Sequence, residues 1–110
     1  LEWHSLDFVL NYLEQINYPS KNQKKQFWDV EGILKKRLNQ KFKFDLRPLK
    51  DNCKNGSFKT KADKMVFDVE DQYIIIDVEE LHQYLKNNQI KIVQLEDLIY
   101  KLDWNIILQK

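Results

Sequence analysis

The chain has few of the residues that break or crosslink a polypeptide: its 110 residues include one Cys, two Gly and two Pro. The lone Cys53 excludes an internal disulfide, so a reducing, cytoplasmic setting is expected. Scarce glycine argues against phosphate-binding loops, which need the permissive glycine backbone. No apolar run approaches the roughly 20 residues that span a bilayer. The opening residues, Leu1-Glu2-Trp3-His4, lack the features of a signal peptide, so we expect no membrane partner.

Metal-binding residues are equally scarce. His4, Cys53 and His82 are the soft ligands of the chain and lie far apart in sequence, whereas a zinc site needs clustered ligands. The glycine-rich nucleotide-binding motifs and the serine and zinc hydrolase motifs are absent. We therefore expect no metal and no cofactor, and a non-catalytic role is favoured over an enzymatic one.

The overall composition is typical of a folded domain. Hydrophobic residues make up 43%, charged residues 32% and aromatic residues 13% of the chain, and disordered chains lack such an aromatic share. We predict a single α+β domain over residues 1–110. The missing initiator methionine is compatible with a piece of a longer polypeptide.

Helical spacing of apolar residues predicts four helices. The first begins near Ser5 and ends before Pro19, and the second covers about residues 20–40, where Ser20 and Gln23 form a capping-box pattern. Asp77 and Glu80 give a similar capping pattern for a third helix. A fourth helix is predicted from the spacing of Leu95, Leu98, Ile99 and Leu102.

The remaining segments predict strands and one loop. Alternating residues predict a strand over 42–46, a hairpin over 65–69 and 73–76, and a final strand over 104–108. Residues 50–57, with Asn55-Gly56, predict a loop. The order of elements predicts a small, mostly antiparallel sheet of three to four strands with helices packed on one face.

The net charge of +1 hides an uneven distribution. Residues 21–64 carry 14 Lys and Arg against five Asp and Glu, whereas residues 65–110 carry four against nine. The two halves either neutralise each other in the fold or leave one basic surface for an anionic partner. We favour a binding module that uses this basic segment to contact nucleic acid or an acidic protein. The candidate contact residues are Lys24, Lys25, Trp28, Lys35, Lys36, Arg37, Lys43 and Arg47.

Carboxylates of the predicted hairpin suggest an alternative function. Asp68, Glu70 and Asp77 lie at the ends of its strands, where paired carboxylates can hold a divalent cation. A metal-dependent, nuclease-like enzyme is therefore the second hypothesis. Helix capping by Asp77 and solvation of the hairpin explain the same residues without chemistry. The sequence leaves the identity of the partner and the oligomeric state open.

Overall fold

The structure, a computed structural model of the chain, describes residues 6–35, 39–48, 53–54, 60–69, 71–89, 92–93 and 95–110. Within these ranges, the elements in chain order are α1 (Leu6–Tyr12), β1 (Leu13–Asn17), the 3₁₀ helix η1 (Gln23–Gln26), β2 (Val30–Leu34), β3 (Lys41–Pro48), β4 (Cys53–Lys54), β5 (Lys64–Asp68), β6 (Gln72–Asp77), α2 (Val78–Asn87), β7 (Ile92–Val93), α3 (Leu95–Lys101) and β8 (Asn105–Gln109). No helix in the described part of the chain combines the length and the apolar character that crossing a membrane requires.

A six-stranded mixed sheet forms the centre of the fold. Its strand order is β1-β2-β3-β5-β6-β8, and a separate two-stranded sheet pairs β4 with β7. Neighbouring strands of the large sheet are antiparallel except β3 and β5, which run parallel from the Phe44–Lys64 pair to the Pro48–Asp68 pair. The chain is α+β in outline, but the predicted mostly antiparallel sheet of three to four strands is wrong.

The predicted second helix accounts for part of this error. Instead of one helix over residues 20–40, the chain forms η1 and then β2. Ser20 and Gln23 do exchange the capping-box hydrogen bonds, at 3.0 and 3.3 Å, but Phe27 adopts a φ of 66°, which ends the helical turn. From Val30 to Leu34 burial alternates with the period of a strand.

The first helix is also shorter than predicted. It ends at Tyr12, and the chain continues directly as β1, which pairs with β2 from Leu13 opposite Leu34. Gln15 has a φ of 54°, and the register of β1 against β2 shifts between Glu14 and Asn17. A β-bulge therefore occupies the segment that the apolar spacing assigned to continued helix.

The later elements follow the sequence prediction closely. The hairpin is β5 and β6, with Met65 opposite Ile76. Asp77 caps α2 by accepting a hydrogen bond from the backbone N–H of Glu80, and Asn88 follows its last turn. The predicted strand over 42–46, the fourth helix and the final strand correspond to β3, α3 and β8. The predicted loop over 50–57 lies mainly outside the described residues, but Cys53–Lys54 within it form strand β4, so the prediction is wrong at these two residues.

Helices cover both faces of the sheet, so the prediction of one covered face is wrong. Alternate side chains of a strand point to opposite faces, and neighbours on β5 belong to two different hydrophobic clusters. Met65 belongs to the cluster that contains Leu81 of α2 and Leu98 of α3, whereas Val66 belongs to the cluster that contains Phe8 of α1. All five residues of β5 are buried. Such continuous burial is the property of a strand with both faces covered.

Candidate functional site

The basic residues predicted to share one helix are distributed over several elements. Lys25 is exposed on η1, Lys35 is exposed after the end of β2, and Lys43 and Arg47 lie on β3. Lys24 belongs to η1, but its side chain lies outside the described residues, as do Lys36 and Arg37. Whether these three contribute to a basic surface stays a prediction.

Three lysines nevertheless lie on segments that meet near Trp28. Lys25 precedes Gln26, whose backbone carbonyl accepts a hydrogen bond of 2.9 Å from the N–H of Lys61. The side chain of Gln26 accepts a hydrogen bond of 3.0 Å from Nε1 of Trp28. The Nζ of Lys43 lies 5.3 Å from the centroid of a Trp28 ring, within the range of a cation–π interaction. We call Lys25, Lys43 and Lys61 the lysine patch.

Backbone hydrogen bonds fix the segment that carries Lys61. The N–H of Asp63 donates to the carbonyl of Lys43 at 2.8 Å, and a carboxylate oxygen of Asp63 accepts from the N–H of Lys43 at 2.8 Å. The hydroxyl of Thr60 donates to the carbonyl of Phe27 at 3.4 Å. The patch therefore combines residues from η1, β3 and the approach to β5, which no local sequence pattern joins.

The patch lysines differ from Arg47, Lys64 and Lys110, each of which pairs with a carboxylate. Within the described residues none of the three forms an ion pair, and Lys25 and Lys61 are exposed. Arg47, in contrast, donates two hydrogen bonds to the carboxylate of Asp45, at 3.0 and 2.9 Å. The guanidinium of Arg47 is thus already engaged within the protein.

Trp28 supports the patch and exposes little surface of its own. It is 3% exposed, and it packs in the cluster that includes Ala62 and Met65. Its indole N–H is used by Gln26. A tryptophan of this kind positions its neighbours, because little of its ring is exposed.

Two other aromatic residues beside the patch are exposed. Tyr18 is 58% exposed and Phe27 is 54% exposed. The positive φ of Phe27 is uncommon for a bulky residue, and such backbone strain occurs often at functional sites. No pattern in the sequence selected Tyr18 as a candidate contact residue.

These aromatic residues flank a cavity of about 600 Å³ beside β3. Ligand pockets in proteins commonly have volumes of about 300–1,000 Å³ and combine apolar walls with a few polar groups. The residues that line this cavity are Tyr18, Pro19, Phe27, Trp28, Asp29, Asp45, Leu46 and Arg47.

The polar part of this cavity is built around Asp29. Its Oδ2 accepts a hydrogen bond of 2.8 Å from the backbone N–H of Leu46. Burial raises the pKa of Asp29, and the neighbouring charge of Asp45 raises it further, while the Leu46 hydrogen bond and the Arg47 charge oppose the rise. A half-buried carboxylate therefore lines a cavity with exposed aromatic walls. No pattern in the sequence singled out Asp29.

The hairpin carboxylates lie apart from one another. Asp68 is opposite Tyr73 and Asp77 is opposite Lys64, at the two ends of the β5–β6 pair. Lys110 contacts Asp68 at 2.6 Å, and Lys64 contacts Asp77 at 2.7 Å. Glu70 lies outside the described residues, and no group of three metal-ligating side chains occurs among the described ones. This geometry gives the nuclease-like hypothesis no support.

Comparisons of the chain with known proteins give no family or fold assignment. No protein-family model matches the chain, no curated protein is similar to it, and no solved structure matches it. Any function for this protein must therefore be argued from its own residues.

Proposed function

We propose that this protein is a non-catalytic binding module whose lysine patch contacts the phosphates of single-stranded nucleic acid. The observation that carries the proposal is that Lys25, Lys43 and Lys61 lie on segments that meet near Trp28 and form no ion pair with a carboxylate in the described chain. Lysines that replace condensed counterions bind phosphates favourably and without sequence preference.

The state of Arg47 supports a contact directed at the backbone of the nucleic acid. Sequence-specific recognition of duplex DNA relies mainly on arginine guanidinium groups that form two hydrogen bonds with the edge of a base. The guanidinium of Arg47 is already paired with Asp45. Lysine acts as a point charge and binds phosphates in many orientations. We therefore expect binding that depends strongly on salt.

The exposed rings of Tyr18 and Phe27 support a single strand as the partner. Unstacked bases lie on aromatic side chains with little sequence preference, and this stacking adds to the phosphate contacts. An acidic protein has the charge that the lysine patch needs but has no bases. The difference allows the two kinds of partner to be distinguished experimentally.

A salt titration tests this proposal. The affinity of the full chain is measured for labelled single- and double-stranded DNA and RNA and for poly-glutamate, from low to physiological salt. We expect the strongest binding for single strands, with a log–log slope of about −2 if three lysines contact phosphates. Absence of single-strand binding at low salt would overturn the proposal. Tighter binding of poly-glutamate than of single strands would overturn it in favour of an acidic protein partner.

A further inference from the structure

The cavity beside the lysine patch has the properties of a site for one unstacked base. We propose that it holds a nucleobase whose exocyclic amino group donates a hydrogen bond to the carboxylate of Asp29. The phosphates next to this base then lie on the lysine patch. This inference rests on the function proposed above, because it assigns the cavity to the same strand. Tyr18 and Phe27 supply the stacking surfaces, and both residues line the cavity.

Phe27 connects the cavity with the patch. Its side chain lines the cavity, and its backbone carbonyl accepts the hydroxyl hydrogen bond of Thr60, the residue before Lys61. Trp28 likewise lines the cavity and lies under the Nζ of Lys43. A base in the cavity would therefore have lysines close to its own phosphates.

The carboxylate of Asp29 determines which bases are favoured. Its Oδ2 accepts from Leu46, whereas Oδ1 accepts no hydrogen bond within the described residues. Carboxylates accept hydrogen bonds from amino groups such as N4 of cytosine. Burial raises the pKa of Asp29, so an amino donor at this point would stabilise the ionised carboxylate. Uracil presents a carbonyl oxygen where cytosine has this amino group, and two acceptors would repel each other.

A cationic ligand fits the cavity less well. Arg47 lines the same cavity as Asp29 and Asp45, so the guanidinium already balances part of the carboxylate charge. The lysine patch beside the cavity repels cations further. A neutral, planar ligand with a hydrogen-bond donor satisfies both the aromatic walls and the carboxylate.

The test compares three oligomers of equal length and charge: deoxycytidine, deoxyuridine and an abasic phosphate backbone. Affinities are measured for the wild-type chain, for Asp29→Asn and for Phe27→Ala. We expect the wild type to bind the deoxycytidine oligomer about tenfold more tightly than the deoxyuridine oligomer, the lower end of the usual discrimination by paired base contacts. Asp29→Asn should remove or invert this preference, because the amide can accept from Leu46 and donate to the uracil carbonyl. Phe27→Ala should lower binding of both base-containing oligomers towards the abasic level.

The outcomes separate this inference from the function on which it rests. Equal wild-type binding of all three oligomers would overturn the base site and leave the phosphate-binding function intact. No binding of any oligomer would overturn both. An unchanged preference for cytosine in Asp29→Asn, with thermal unfolding like that of the wild type, would also overturn the role assigned to Asp29.

Discussion

Lys64 and Asp77 lie directly opposite each other on β5 and β6, with Nζ 2.7 Å from Oδ1. Lys64 is 7% exposed, and its Nζ also lies 3.9 Å from the centroid of a Trp104 ring. The second oxygen of Asp77 accepts the N–H of Glu80 at the start of α2. One carboxylate therefore pairs with a buried cation and caps a helix.

This double role predicts how substitutions at position 77 affect stability. Asp77→Ala should lower the free energy of unfolding by more than the ~1 kcal/mol typical of a lost helix cap. The reason is that it also leaves the buried ammonium of Lys64 without its anion. Asp77→Asn should lose the ion pair but keep the cap, since Asn is a good N-cap residue. Urea denaturation measures both variants.

The double variant Lys64→Met/Asp77→Asn provides the control, because it removes both charges and keeps the cap. It should be more stable than Asp77→Asn alone, as expected when a buried charge is no longer left unpaired. If Asp77→Asn is as stable as the wild type, the ion pair contributes nothing to the fold.

The raised pKa of Asp29 predicts that Asp29→Asn increases the free energy of unfolding by an amount that depends on pH. Burial makes the folded chain bind a proton at Asp29 more tightly than the unfolded chain does. The contribution of Asp29 to the stability of the wild-type chain therefore increases as pH falls through the pKa that this residue has in the folded state. The stability of the Asp29→Asn variant relative to the wild type should be greatest near neutral pH and should decrease on acidification, as measured by urea denaturation across this range.

Asp29→Ala is the matched control for that substitution. It also removes the charge, but it leaves the backbone N–H of Leu46 without the 2.8 Å hydrogen bond. A lost buried hydrogen bond costs about 1–3 kcal/mol, so this variant should be less stable than Asp29→Asn at every pH. A stability difference between Asp29→Asn and the wild type that grows on acidification would contradict the assigned pKa direction.

Tyr73 predicts a loss of stability in alkali. Burial raises the pKa of Tyr73 to about 12, with a further contribution from the charge of Asp68. The unfolded chain ionises this phenol near its ordinary pKa of 10.0, so its contribution to stability is present below that pH and is lost as pH rises towards 12. Tyr73→Phe should lack this loss. Urea denaturation of the wild type and of Tyr73→Phe at a series of alkaline pH values measures this difference. Parallel curves of stability against pH for the two chains would contradict the prediction.

The sequence predicted the elements whose apolar period was unambiguous. Met65 and Ile76 lie in the predicted hairpin, and Asp77 caps the predicted helix. The segment from Phe27 to Leu34 was predicted wrongly, because Phe27, Val30 and Leu34 fit a helical spacing while Trp28, Val30 and Leu34 fit a strand. Local spacing alone could not decide between the two, and the φ of Phe27 is not visible in the sequence.

Long-range pairing explains the remaining differences. The parallel contact of β3 with β5, for example Asp45 beside Met65, requires a connection whose path no local pattern specifies. The same limit applies to the candidate site, where Gln26 meets Lys61 and Tyr18 lines the same cavity as Arg47. The charge count indicated a basic segment, but only the fold shows which of its lysines lack a carboxylate partner among the described residues.

The most direct test of the proposed function is a comparison of two matched charge reversals in a single-strand binding assay at low salt. Lys25→Glu/Lys61→Glu alters two exposed lysines of the patch, and Lys86→Glu/Lys101→Glu alters two exposed lysines in the last turns of α2 and α3 with the same change in net charge. Lys43 is left unchanged because its Nζ contacts Trp28. We predict that the patch variant loses most binding and much of the salt dependence, while the control variant keeps both. Equal losses in the two variants, with both chains folded, would contradict the lysine patch as the binding surface.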